Sequence, residues 1–189
     1  MDVDLPEVHA RSLDATREFV AGVGESQWSD RSECDGWTVR ELVNHIVTGN
    51  YWAVELGGGK TIAEVGDRYD GDILGDDPLG AYNESAAAAA AAFRAPGAMD
   101  APCAVSYGPV PGSIYCGHRF MDVLIHGWDV AKSTGQDTTL LPDLVEACWA
   151  VLEPQLDLLV GSGMFGEAVP VSDAADAQTQ LLAVLGRHA

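Results

Sequence analysis

Ile114-Tyr-Cys-Gly-His118-Arg-Phe-Met-Asp122-Val-Leu-Ile-His126-Gly-Trp128-Asp129-Val-Ala-Lys-Ser-Thr-Gly135 is the stretch whose reading decides the fold. Phe120, Val123, Leu124, Trp128 and Ala131 recur at helical spacing, and Gly135 closes the pattern where a left-handed cap belongs, so the stretch predicts a helix of about five turns. His118, Asp122 and His126 follow one another at intervals of four. Residues four apart on a helix share a face with Cβ atoms about 6 Å apart, so Asp122 and His126 can reach one metal ion together. A third ligand has to come from another helix.

Thr38-Val-Arg-Glu41 is a capping-box pattern and starts that helix. The face it predicts toward the interior carries Leu42, His45, Ile46, Gly49 and Trp52. His45 with Asp122 and His126 makes two neutral imidazoles and one carboxylate around a divalent cation with an open position, the ligand count of catalytic zinc sites; iron or nickel accepts the same donors. Other assignments of these residues stay open. His45 and His126 also read as core histidines bonded to Glu41 and Asp122, and His118 or Asp129 can replace a ligand or orient one. Glu41, four residues before His45, can do the same. Trp37, Trp128 and the Pro/Gly-rich segment 95–112 are candidates for the lining of a pocket.

The remaining periodicities are helical. Val8, Leu13, Phe19 and Val20 predict a helix over 7–23, seven consecutive alanines from Ala86 to Ala92 a helix over 79–94, and Leu144 to Leu159 a helix entered at Pro142 and bent at Pro154. A short terminal helix over 178–185 stops at Gly186. The prolines and glycines of 95–112 predict an irregular loop, and almost nothing reads as a strand. The expected class is all-α: a four-helix bundle with an additional helix and a short C-terminal tail helix, in a single domain over 1–189 with the bundle at about 5–160 and an extension at about 161–189.

Composition narrows the partners. The 189 residues include 29 acidic and 10 basic ones, a formal net charge of −19 that repels nucleic acid and anionic membranes. No apolar run is long enough to span a bilayer and the first residues lack a basic, apolar leader, so a cytoplasmic protein is expected. Cys34, Cys103, Cys116 and Cys148 form no Cys-x-x-Cys pair and are expected as reduced thiols; Cys34 stands just before a helix start, where a thiolate gains from the helix dipole. Gly57-Gly-Gly-Lys60-Thr61 follows a helix rather than a strand and reads as a helix stop, not a phosphate loop. The acidic run Asp67-Arg-Tyr-Asp70-Gly-Asp72 lacks EF-hand spacing and reads as a solvated loop.

Two segments, Cys34-Asp-Gly-Trp-Thr-Val-Arg-Glu-Leu-Val-Asn-His45 and Asp122-Val-Leu-Ile-His-Gly-Trp-Asp-Val-Ala-Lys-Ser-Thr-Gly135, resemble the mycothiol-dependent maleylpyruvate isomerase N-terminal domain family of the DinB-like superfamily. The resemblance covers nearly the whole chain, and the ending from Leu181-Leu182 to Gly186-Arg187 is similar to that of a short branch of the family. It implies a DinB-like four-helix bundle with a metal on His45, Asp122 and His126, zinc foremost, and a thiol of the mycothiol type as cofactor. It further implies a thiol-dependent transferase or isomerase acting on a small electrophilic substrate, the alternative being a non-catalytic metal- or ligand-binding regulatory module. Homodimers are an option in that superfamily, although no stretch of this sequence marks an interface. Two departures favour the broader transferase class over maleylpyruvate isomerisation. Asp122 stands where the characterised isomerase has glutamate, and residues 161–189 are too short to match its separate C-terminal domain.

Overall fold

Three of the four long helices begin where a side chain satisfies backbone N–H groups that a helix start leaves open. In the computed structural model, which describes residues 3–156 and 166–189, α1 (Leu5–Ala21) is capped by the Asp4 carboxylate accepting from the Glu7 N–H at 3.2 Å. Thr38 and Glu41 cap α2 (Val39–Gly57) reciprocally, as the capping-box pattern requires. A one-turn helix, α3 (Ile62–Val65), repeats the device with Thr61 and Glu64. Asp77 caps α4 (Pro78–Arg94), and α5 spans Gly112–Ser133.

The chain divides into two compact units, one over Asp4–Thr138 and the other built chiefly from Thr139 onward. In the first, the four long helices close a ring: α1 packs on α5 and α4, and α2 packs on α4 and α5. Leu13, Leu42, Ile46 and Val123 fill one part of its interior and Leu56, Phe93, Tyr115 and Cys116 another. α1 and α5 approach closely at Gly127, where a Cβ would collide with Thr16. The Thr16 hydroxyl donates to the Val123 carbonyl there at 3.1 Å.

The segment predicted to be an irregular loop holds a small hairpin, β1 (Pro102–Val105) with antiparallel β2 (Gly108–Pro111). The three prolines within the hairpin fall in alternate pairs, Pro102 opposite Pro111 and Pro109 opposite Ala104. An antiparallel ladder needs donors only from every other pair, so the pairs Cys103–Val110 and Val105–Gly108 carry it. The class is therefore mostly helical with one two-stranded hairpin rather than all-α.

In the second unit α6 (Pro142–Leu152) runs into a 3-10 turn at Glu153–Gln155, beside the predicted bend at Pro154. The predicted continuation to Leu159 lies outside the described residues. The terminal helix α7 (Ala177–Val184) is tied to α6 and its approach by Trp149 Nε1 donating to the Ala177 carbonyl and Gln178 Oε1 accepting from Leu140 N–H. Gly186, at φ +81°, ends it as predicted. Among the described residues no helix is long and apolar enough to cross a membrane.

Candidate metal centre

The α2–α5 contact carries the polar side chains. His45 of α2 points Nε2 at Asp122 Oδ1 at 3.4 Å, and His126, one turn beyond Asp122 on α5, points its own Nε2 at the same oxygen at 3.7 Å. One donor atom from each of the three lies within 4.8 Å of the other two. The three predicted ligands are thus brought together, and both histidines present a ring nitrogen to the carboxylate. Their rings meet edge to face with centroids 4.9 Å apart, and the Trp37 indole lies 4.9 Å from His45.

The groups behind the donors decide what they offer. The second nitrogen of His126, Nδ1, is 2.9 Å from Asp129 Oδ2, and Asp129 has no exposed surface. A carboxylate accepts and does not donate, so this bond places the proton on Nδ1 and leaves the Nε2 lone pair turned toward Asp122. Cys34 Sγ donates to the same Asp129 oxygen at 3.3 Å and lies 3.7 Å from His126 Nδ1. Ser32 builds the turn that delivers Cys34: its hydroxyl bonds to the carbonyls of Cys34 and Trp37, and Gly36 supplies the φ of +82° that the turn needs. Trp37 comes to His45 by the same turn.

Asp122 is anchored from its other oxygen. Arg119, one turn earlier on α5 and 7 % exposed, donates from Nη1 to Asp122 Oδ2 at 2.7 Å. Its Nη2 reaches the Ile46 carbonyl and Asn50 Oδ1 on α2. Burial alone would push the Asp122 carboxyl up, but the Arg119 guanidinium, followed by His126 and His45, outweighs it and holds the acid well below the usual carboxylate range. Gly49 makes the room: a Cβ there would collide with the guanidinium.

Other candidates are placed elsewhere. His118 bonds through Nδ1 to the Tyr107 hydroxyl at 2.5 Å, on the turn of the β1–β2 hairpin. Glu41 keeps its capping bonds to Thr38, which hold its carboxyl below the ordinary range. Trp128 is 1 % exposed, with the Lys132 ammonium 4.9 Å from its ring centroid, and the indole against His45 is that of Trp37. None of the four cysteines is in a disulfide among the described residues; burial pushes the thiols of Cys116 and Cys148 up to about 12, whereas Cys34 is the half-exposed one. Sequence reading missed Arg119. Its signal is a pairing: an arginine three residues before Asp122 and a glycine four residues after His45.

The donor set fits a divalent ion. Two imidazoles and a carboxylate converge, one imidazole is held in the ligating tautomer, and the carboxylate keeps one oxygen directed at the histidines. A mostly helical protein with this convergence on two neighbouring helices belongs to the class of helical proteins with a His/Asp/His donor set. The sequence pattern of the mycothiol maleylpyruvate isomerase N-terminal domain family matches residues 9–131, and the chain belongs to that family. Two uncharacterised proteins of Mycobacterium tuberculosis, from its CDC 1551 and H37Rv strains, are 35% identical to it over 188 residues, covering 95% of either chain. Crystal structures of the mycothiol-dependent maleylpyruvate isomerase, one of them a histidine-to-alanine mutant, superpose with TM-scores of 0.63 and 0.66. They cover 81% of this chain and 68% of the isomerase, at 16% and 19% identity, a likeness of fold.

Proposed function

We propose that this protein is a cytoplasmic, metal-dependent enzyme of the DinB-like bundle type. It uses a small thiol of the mycothiol kind on an electrophilic small molecule, as a transferase or isomerase. His45, Asp122 and His126 hold the ion, zinc foremost, with iron or nickel accepting the same donors. A divalent ion in this position supplies Lewis-acid chemistry and favours the thiolate form of a thiol. The observation that carries the reading is the division of labour around His126, with Nδ1 fixed by Asp129 and Nε2 directed at Asp122.

The protein's own residues do the orienting. Asp129 sets the His126 tautomer, and Cys34 occupies the rest of that carboxylate oxygen's bonding. Arg119 holds Asp122 Oδ2, so Oδ1 stays with the histidines. It also offsets the carboxylate's charge, which leaves the donor set electrically neutral and an ion bound there with its full electrophilic pull. Trp37 covers His45 on one side. The alternative, a regulatory module closed around its metal by four protein ligands, calls for His118 or Asp129 as the fourth, and of these His118 bonds to Tyr107 and Asp129 stands behind His126.

The test is metal content. Protein purified without added metal or an affinity tag should carry about one equivalent of zinc, iron or nickel, and the His45→Ala and His126→Ala variants little, with loss of thiol-dependent turnover. A parent that takes up no metal even on reconstitution would overturn the assignment.

A further inference from the structure

The acidic run read from the sequence as a solvated loop is folded back onto α2 by side chains of α2 itself. Asn44 Nδ2 donates to the Gly71 carbonyl at 2.9 Å, and Asn44 Oδ1 accepts from the Ile73 N–H at 2.8 Å. Arg40 grips Asp72 through Nε and Nη2 and also donates to the Gly75 carbonyl at 2.7 Å. These bonds make the loop one wall of a cleft of about 680 Å³, with Tyr69, Asp70 and Asp72 on that side and Trp37, Glu41 and His45 opposite. One of the three candidate metal ligands is therefore also a wall of the cleft.

The lining carries three carboxylates, Glu41, Asp70 and Asp72. Among the described residues that line it, Arg40 is the one cation, and its bonds go to Asp72 and a carbonyl. Glu41 and Asp70 are left without a lysine or arginine of the lining to answer them. Thr48 also lines the cleft, and its hydroxyl is buried with no hydrogen-bond partner among the described residues.

We propose that this cleft receives the body of the electrophilic substrate, and that Glu41 and Asp70 make it select uncharged or cationic molecules and exclude those bearing a carboxylate or phosphate. The inference rests on the reading above for its chemistry, while the charge preference stands on the cleft alone. The lining is mainly polar and Glu41 and Asp70 stand exposed on its two sides, leaving the cleft net negative, so an anionic tail is repelled where an amide, a hydroxyl or an ammonium finds acceptors. The reacting end, beside His45, lies in a different field from the tail, because Arg119 offsets the nearest carboxylate there.

Three epoxides of similar size test the selection: glycidamide, glycidate and glycidyltrimethylammonium, each offered with mycothiol to the metal-reconstituted protein. Glycidate should show kcat/KM about ten-fold or more below glycidamide, with the ammonium compound at least equal to glycidamide. The double variant Glu41→Gln and Asp70→Asn should close most of that gap, glutamine preserving the helix cap. A second readout needs neither metal nor turnover: quenching of Trp37 fluorescence, taken as the difference from Trp37→Phe, by caesium and by iodide with acrylamide as reference. Caesium should quench several-fold better than iodide, and the double variant should level the two. Equal quenching in the parent, or glycidate as the preferred epoxide, overturns the proposal. Cation preference at Trp37 without turnover of any epoxide upholds the charge preference and counts against the thiol-transfer reading.

Discussion

His9 and His126 stand on opposite seams of the same ring of helices, and they have opposite fates. His9 of α1 lies in the α1–α4 seam, fully buried and edge-on to Phe93 with ring centroids 5.0 Å apart. Neither of its ring nitrogens has a hydrogen-bond partner among the described residues. His126, in the α2–α5 seam, keeps 15 % of its side chain exposed and has a carboxylate at each nitrogen. What the helices offer beside the ring decides the difference: α4 supplies alanine and phenylalanine, whereas α5 supplies Asp122, Asp129 and Arg119. The same residue type becomes core in one seam and a candidate ligand in the other.

The largest expected effect comes from breaking the polar seam. Asp122→Ala leaves the Arg119 guanidinium, 8 % exposed, facing only a carbonyl and the Asn50 amide oxygen. In chelator, where no ion complicates the balance, urea unfolding should show a loss of about 3 kcal/mol, and Arg119→Met in the same protein should restore most of it. A loss below about 1 kcal/mol with no recovery in the double variant would mean that Arg119 does not depend on Asp122.

Breaking the apolar seam needs only acid. Burial, followed by the charges of Arg119 and Arg94, lowers the His9 pKa from 6.5 to about 3. Between those values the unfolded chain takes a proton that the folded chain refuses. The stability contribution is therefore complete above pH 6.5 and drains away as the pH falls toward 3. At pH 5 the cost attributable to this one group should be about 2 kcal/mol relative to neutral pH. Urea midpoints followed against pH should fall less steeply for His9→Leu than for the parent; parallel curves would show that His9 accepts its proton inside the fold.

How much of this is legible in the sequence follows the same division. Helix positions are readable because their signals are local: Thr38 with Glu41, Pro142, the alanine run and Gly135 each act within a turn or two of themselves. His45, Asp122 and His126 are readable because helical spacing puts two of them on one face and the amphipathic pattern turns the third inward. Arg119 is hidden, because its place depends on Gly49, far earlier in the chain, making room for it. The hairpin is hidden because its prolines weigh against a strand until the register shows that they occupy pairs that need no donor. The charged wall at Asp70 is hidden for a similar reason. Its neighbours' pattern is that of a loop in water, and only the bonds from Asn44 and Arg40 bring it beside His45.

The smallest effects separate the seams most finely, because one kind of change can be made in each. Gly49→Ala adds a methyl that must push the Arg119 guanidinium off Asn50 and the Ile46 carbonyl. Replacing glycine inside a helix gains about 1 kcal/mol of propensity, which offsets much of that cost, so the melting temperature should hardly move while metal retention changes. Ala90→Leu enlarges a half-buried alanine that lines a groove of about 520 Å³ between α1 and α4. Its added carbons cover apolar floor rather than displace a charge, so stability should rise by up to about 1 kcal/mol with metal content unchanged. If Ala90→Leu instead lowers metal content, or Gly49→Ala leaves it untouched, the two seams are not the independent regions that their side chains describe. The glycine would then serve backbone packing rather than Arg119.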